Sequence, residues 1–329
     1  MSHDIGRRKL IGGAVLALGL AAAADAPALA QPEQVVLDWA YYNPVSLLLL
    51  NKGWVEEEFA KDGIDVAWIQ SHGSNKAIEF LNSGGLDFGS TAGAAALLAH
   101  INGSEIQSIY VYSKPEWTAL VTRPDTGIAT VEDLKGHTVA VTRGTDPYIF
   151  LLRALAEHGL SEADIEPVLL QHADGGNALL RGDVDAWAGL DPMMAAAELE
   201  SGAVLFYRNA DLNTYGTLNV RTAFAEENPE IVLRVIRLYE RGREYALAHP
   251  DELRDILRDA AGLTDAVAER QLSERTDLSA PFIGQTQIDA ITAAGVALQG
   301  AGIIEADVDV AGHVQALINP SYGETVAAE

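Results

Sequence analysis

Apolar residues fall along this chain with two alternating periods. Short runs rich in β-branched and aromatic residues, the mark of buried strands, are separated by longer segments in which apolar positions recur every three or four residues. The runs predict strands over residues 35–39, 64–69, 86–89, 106–112, 118–122 and 138–142, with further strands ending near His172 and Trp187. Between them the helical period predicts helices over 45–61, 75–82 and 92–101, and one that opens at Gly144-Thr145-Asp146-Pro147 and closes at Gly159. Asn43-Pro44 reads as an N-cap and first helical position, and Thr130-Val131-Glu132-Asp133 resembles a capping box for a short helix stopped at Gly136. This alternation argues for parallel sheets with helices on their faces. Past Tyr207 the pattern changes. One strand over 215–220 is followed by helices over 229–247, 251–260, 265–274, 285–298 and 310–318. In the first of these, Ile231, Val232, Val235, Leu238 and Tyr239 share one stripe that needs a surface to cover.

Two stretches read alike: Phe80-Leu81-Asn82-Ser83-Gly84-Gly85-Leu86-Asp87-Phe88-Gly89 and Ala178-Leu179-Leu180-Arg181-Gly182-Asp183-Val184-Asp185-Ala186-Trp187. Each is the end of a helix, a glycine stop and a short strand, so the chain is expected to use one α/β unit twice, in two lobes facing across a cleft. The alternative is two ordinary units in one large sheet. The expected organisation is lobe I from residues 33–122 and 221–329 and lobe II from 123–220, with crossings near Arg123 and Arg221 that together make a hinge.

Residues 1–30 read as an address rather than fold. Arg7-Arg8-Lys9 is a basic start, 10–24 an apolar stretch, and Ala28-Leu29-Ala30 a small-residue cleavage site before Gln31. The apolar stretch is shorter than the roughly 20 residues of a comfortable bilayer span. The paired arginines followed by Leu10-Ile11 resemble a twin-arginine signal. The reading is of an exported, periplasmic protein. With 22 basic against 47 acidic residues the formal charge is −25, which argues against nucleic acid or anionic lipid as a partner. With no cysteine in the chain, core packing rather than disulfides must hold an exported fold, and thiol chemistry is excluded.

Ligands of open α/β sheets sit beyond the carboxyl ends of the strands, so five loops that lead into helices carry the candidate chemistry. They are Tyr42-Asn43-Pro44, Gly73-Ser74-Asn75-Lys76, Ser90-Thr91-Ala92-Gly93, Arg143 to Tyr148, and Gly189-Leu190-Asp191-Pro192. A helix N-terminus offers unpaired N–H groups and partial positive charge, so several converging ends would hold an anion without a net basic protein. Ser74, Thr91, Asp146 and Asp191 are also suited simply to cap their own helices. Lys76 and Arg143 are the cations best placed to meet an anion. Tyr42, Trp117, Tyr148, Trp187 and Tyr215 stand at strand ends or crossings and could form an aromatic wall, whereas Trp39 and Trp68, inside strands, fit core packing.

The run Asp133-Leu134-Lys135-Gly136-His137-Thr138-Val139-Ala140-Val141, then Arg143-Gly144-Thr145, Asp164-Ile165-Glu166-Pro167-Val168 and Gly182-Asp183-Val184-Asp185-Ala186-Trp187, resembles the substrate-binding proteins of ABC importers for aliphatic sulfonates, taurine and nitrate. Asp87-Phe88-Gly89-Ser90-Thr91 fits the first lobe of the same family. The resemblance implies a two-lobed, hinged α/β fold of the type II periplasmic-binding-protein kind. It also implies a monomeric carrier that closes on a small anionic or zwitterionic ligand and delivers it to a membrane permease with its ATPase. Carried over residue by residue, the implied ligand positions are Asn43, Ser74, Ser90, Thr91, Gly144, Thr145, Trp187 and Asp191. The chain departs from the family at Asp146-Pro147-Tyr148, where an acid beside the anion site would suit an amine-bearing ligand such as taurine, its ammonium reaching Asp146 or Asp191. Lys76 is a second departure.

An enzyme is the main rival, because the same fold hosts pyrimidine-synthesis enzymes for thiamine, but that group resembles chains bearing Cys and His. No GxSxG, P-loop, HExxH or strand-linked GxGxxG is present. His72 and His172 each end a strand and could pair with an acid as metal ligands. A sensor module signalling to a receptor is the third class. The expectation is a carrier without a cofactor, for a sulfonate or, alternatively, for nitrate, a thiamine-precursor pyrimidine or an amine-bearing zwitterion.

Overall fold

The computed structural model describes residues 31–329; the leader expected over residues 1–30 lies outside the described residues. Eleven strands form among them: β1 Gln34–Trp39, β2 Asp65–Gln70, β3 Phe88–Ala92, β4 Ile106–Pro115, β5 Leu120–Thr122, β6 Thr138–Val141, β7 Glu166–Leu169, β8 Ala186–Ala188, β9 Val204–Tyr207, β10 Gly216–Arg221 and β11 Thr276–Asp277. They make two sheets, in the orders β11-β4-β10-β3-β1-β2 and β7-β6-β8-β5-β9. The fold is α/β with two sheets, each with helices packed on it.

The two sheets repeat one plan. In the first, β1 pairs parallel with both β2 and β3, and in the second β6 pairs parallel with both β7 and β8. The third strand of each set follows a helix that stops at a left-handed glycine, Gly84 (φ 74°) after Ser74–Ser83 and Gly182 (φ 84°) after His172–Arg181. Only glycine adopts that turn at no steric cost, which is why the two sequence stretches look alike.

Neither sheet is wholly parallel. β10 runs antiparallel between β3 and β4, and β5 antiparallel between β8 and β9. In each sheet the fourth place is taken by a strand that has just crossed from the other sheet, so it arrives in the opposite direction. The crossings fall slightly before the expected points at Arg123 and Arg221. β5 already belongs to the second sheet and β10 to the first, so the chain passes over at residues 116–119 and returns at 213–215. Strands this short carry too little pattern to reveal which sheet they join.

Helix Pro229–Ala248 buries the predicted stripe, with Ile231, Val232, Val235, Leu238 and Tyr239 all in the core. Its Gly242 lets it lie close to helix Pro44–Lys52, since a Cβ there would stand 3.1 Å from Val45 and 3.2 Å from Leu49. The long helix expected over 45–61 breaks at Gly53, where φ is +66°. Among the described residues no helix is long and apolar enough to cross a membrane.

Candidate functional site

A cavity of about 430 Å³ opens where the carboxyl ends of both sheets face each other. Tyr41, Tyr42, His72 and Lys76 line it from the first sheet's side. From the second come Gln171, His172, Ala173 and Asp174, which open helix His172–Arg181, and Leu190, Asp191 and Met193, which surround the start of helix Met193–Ser201. The first turn of a helix leaves N–H groups without intrahelical partners, and the helices beginning at Ser74, His172 and Met193 bring theirs to this cavity or its rim.

The predicted residues fall into three groups. Tyr42, Lys76 and Asp191 line the cavity. The Tyr42 hydroxyl donates to the Ser90 carbonyl (3.1 Å) and its ring meets Trp117 edge-on at 5.9 Å, so its position is fixed on two sides. Lys76 pairs with Glu79 at 2.6 Å at the half-exposed rim. Asp191 accepts from the Ala195 N–H, capping its helix as one reading expected, and both its oxygens face Arg275 Nη1 at 3.1 and 3.2 Å. Gly144 faces across the cleft: a Cβ there would stand 3.6 Å from the Cβ of Asn75.

A second group supports the cavity wall from behind. Asn43 caps helix Pro44–Lys52 through Ser46 N–H, and its Nδ2 donates to Ser90 Oγ (2.7 Å). Ser90 in turn gives both its hydroxyl and its N–H to Asp38 (2.7 and 2.9 Å). Ser90 and Thr91 lie inside β3 rather than in a loop, paired with Leu218 and Thr217, and Thr91 Oγ1 accepts from Asn219 Nδ2 (2.8 Å). Ser74 Oγ accepts from the Ala92 N–H, and Thr145 Oγ donates to the Thr142 carbonyl. Tyr215, on the return crossing, takes the Gly93 N–H on its carbonyl.

The third group has other work. Trp187 is 1% exposed and packs on Gly175 and Gly176 inside the second lobe, where a Cβ on Gly175 would come within 2.9 Å of its indole nitrogen; it is core, not an aromatic wall. Arg143 lies on the surface, paired with Glu162 and stacked over Tyr148. Asp146 neither caps its helix nor lines the cavity. Its Oδ2 accepts from Trp117 Nε1 and the Thr214 N–H (both 2.9 Å) and its Oδ1 from the Thr214 hydroxyl (2.7 Å). Trp117 sits on the outgoing crossing and Thr214 on the return, so this one carboxylate holds both. The ammonium partner expected of it is therefore already replaced by three internal donors.

Three buried carboxylates, Asp38, Asp146 and Asp191, have pKa values raised by burial and set a pH dependence. Asp38 has no cation beside it, and burial pushes its pKa up to about 6 despite the bonds from Ser90. Asp191 is likewise pushed up to about 6 by burial, with Arg275 opposing. An unfolded Asp titrates near about 3.9, so between there and pH 6 the native state holds more protons than the unfolded chain. The stabilisation these groups give is full below that window and is lost as pH rises through it. Asp38→Asn is expected to flatten the fall in Tm between pH 4 and 6. An unchanged slope would place the titration elsewhere.

His172 is buried, and its pKa drops to about 3 by desolvation, so the ring is neutral. The Thr142 hydroxyl donates to the Leu170 carbonyl (2.7 Å), leaving it to accept from His172 Nδ1 (3.2 Å). Nε2 is then an acceptor, and among the described residues no partner meets it. Among the described residues no group of three metal-ligating side chains occurs, so His72 and His172 share the cavity without a metal-ligand set. Sequence reading missed Arg275 and Thr214, named Asn75 only as part of a candidate loop, and took His172 only as a metal ligand.

Two α/β lobes of one plan, joined by two crossings and enclosing a cavity at their strand ends, define the periplasmic-binding-protein architecture. Residues 50–253 match the family described as NMT1/THI5 like, and the chain belongs to that family. It is 31% identical over 212 residues to an aliphatic sulfonates-binding protein of Escherichia coli strain K12, covering 64% of this chain and 66% of that one. A Bacillus subtilis strain 168 protein of the same name is 29% identical over 236 residues, 71% of each chain. Among solved structures, the alkanesulfonate-binding protein SsuA from Xanthomonas axonopodis pv. citri bound to MOPS superposes with a TM-score of 0.79 at 25% identity, over 86% of this chain and 98% of its own. These relatives are named as binding proteins, not enzymes.

Proposed function

We propose that this protein is the extracytoplasmic solute-binding component of an ABC importer, which holds a small sulfonate between its lobes and hands it to a permease with its ATPase. The observation that carries the reading is the cavity itself: about 430 Å³, walled by loops from both lobes, with helix starts directed at it and a bulky sulfonate held by a protein of the same fold. Residues 1–30 would export it to the periplasm, with the paired arginines suited to the twin-arginine route, and it would act as a monomer. The ends of the two crossings nearest the first sheet, at residues 113–116 and 215–216, would be its hinge. In this reading Tyr42, Lys76, Asp191 and the Ser74 and Gly144 turns meet ligand, while Asn43, Ser90, Thr91 and Thr145 hold those turns in place.

The test is a thermal-shift screen of residues 31–329 with taurine, short and long alkanesulfonates, nitrate, bicarbonate, thiamine-precursor pyrimidines and amino acids. Binding to the native state raises stability by about 2.7 kcal/mol at a hundredfold excess over Kd. A clear shift with a sulfonate supports the reading. A shift only with a pyrimidine or nitrate overturns the cargo, and no shift with any ligand overturns the carrier.

Gly73 gives a sharper check on closure. Its φ is +152°, and a Cβ would stand 2.8 Å from Asn75 Oδ1 and 3.0 Å from His172 Nε2, across the interlobe contact. Overpacking of this kind costs about 1–3 kcal/mol, or roughly five- to hundredfold in Kd. Gly73→Ala is therefore expected to weaken ligand binding by that factor in calorimetry. Wild-type affinity in the variant would show that the liganded lobes do not meet at this point.

A further inference from the structure

Several buried polar atoms near the cavity are left without partners. His172 Nε2, Asn75 Oδ1 and Gln171 Oε1 are all buried acceptors, and none meets a donor among the described residues. Two of them converge on a single notch. The position a Cβ of residue 73 would fill lies 2.8 Å from Asn75 Oδ1 and 3.0 Å from His172 Nε2. His172 is 1% exposed and is one of the residues lining the cavity, and the Thr142 contact fixes the tautomer that leaves its Nε2 lone pair without a partner. A buried acceptor without a donor is destabilising, and a ligand that supplies the donor removes that cost. Of the nearby carboxylates, Asp191 on the cavity wall is already engaged on both oxygens by Arg275 and Asp146 by Trp117 and Thr214, while Asp174, also on the wall, is exposed to solvent.

We propose that His172 is a specificity-determining residue, whose Nε2 accepts a hydrogen bond from an N–H or O–H group of the ligand beside Gly73. The cargo is then a sulfonate carrying a donor on its tail, a protonated amine or a hydroxyl, in preference to a plain alkanesulfonate. This rests on the sulfonate reading above and adds the second point of recognition. A neutral imidazole serves as acceptor for either donor, and helix starts remain for the sulfonate oxygens. A site built to meet a donor discriminates against the analogue that lacks it, because the analogue leaves the buried acceptor unpaired.

The experiment is calorimetry with three ligands of matched size, taurine, 2-hydroxyethanesulfonate and propane-1-sulfonate, on the wild-type protein and on His172→Gln and His172→Phe. In the wild type at least one donor-bearing ligand is expected to bind roughly tenfold or more tighter than propane-1-sulfonate. His172→Gln, which can offer a carbonyl oxygen, should keep part of that preference, and His172→Phe should erase it, so that the three ligands bind with similar affinity. Amine and hydroxyl arms separate the two donors. Equal wild-type affinity for all three ligands overturns the inference and leaves the sulfonate reading standing. Equal losses for all three in His172→Phe also overturn it, and would mark the Asn75 amide, turned over to donate, as the internal partner of Nε2. Failure of all three to bind overturns the sulfonate reading and the inference together.

Discussion

Arg275→Ala is expected to remove about 3–5 kcal/mol of stability and to lower Tm by roughly 10 °C, at about 2–4 °C per kcal/mol for a chain of this order. Arg275 precedes β11 on the first sheet, yet its guanidinium lies between two carboxylates of the second lobe. Nη1 faces Asp191 at 3.1 Å, and Nη2 reaches Glu198 at 2.5 Å. Arg275 and Asp191 are each 1% exposed, so neither charge has water to fall back on. Arg270 joins from the same side, on the other oxygen of Glu198 at 3.0 Å. Removing the arginine leaves Asp191 buried with no cation against it, and that uncompensated charge, more than any lost attraction, is the cost. It follows that Asp191→Asn in the Arg275→Ala background should recover part of the loss, because an amide keeps an oxygen for the Ala195 N–H and carries no charge. Thermal unfolding of the two single variants and the double variant measures the coupling. A Tm for Arg275→Ala within a degree or two of wild type would show that the lobes are held by something else.

The second large effect is expected at Asp146. Alanine there orphans the Trp117 indole N–H, the Thr214 N–H and the Thr214 hydroxyl, all in a buried setting. At about 1–3 kcal/mol for each unmet group, the variant should lose roughly 3 kcal/mol or more. Asp146→Asn, which keeps one carbonyl oxygen, should lose less. Because the carboxylate is spent on the crossings, neither variant should alter the ratio of affinities for taurine and an alkanesulfonate in calorimetry. A loss confined to taurine would put Asp146 in the ligand site after all.

The α/β class, the strand and helix order and the twofold use of one unit could be read from the sequence, because periodicity and glycine stops are local signals. Gly84 and Gly182 announce themselves in this way. Asp146 and Asp191 show where such signals end. Both precede proline at a helix start and look alike in the sequence, yet Asp191 caps its helix while Asp146 reaches partners 29 and 68 residues away. Trp187 is the middle residue of the three-residue strand β8, and only the glycine pair of the facing helix decides that it turns into the core. Arg275 stands in the charged run Glu274-Arg275-Thr276-Asp277, which reads as an exposed face; its burial depends on a lobe folded some eighty residues earlier. The acceptor role of His172 was hidden for the same reason, since its tautomer is set by Thr142 and its open nitrogen by Gly73 and Asn75.

Asp146 also decides where motion can occur. Trp117 on one crossing and Thr214 on the other are tied to the second lobe through it, and the Thr118 N–H is tied to Asn213 Oδ1 between the crossings (3.1 Å). Those four residues must travel with the second lobe as one body. Any swing of the lobes has to bend the chain on the far side of that clasp, at residues 113–116 and 215–216, where the β4–β10 pairing already shifts register next to Gly216. In the proposed carrier the pivot would therefore lie against the first sheet rather than midway along the crossings, and the second lobe would swing like a door whose hinge plates are fastened to the leaf.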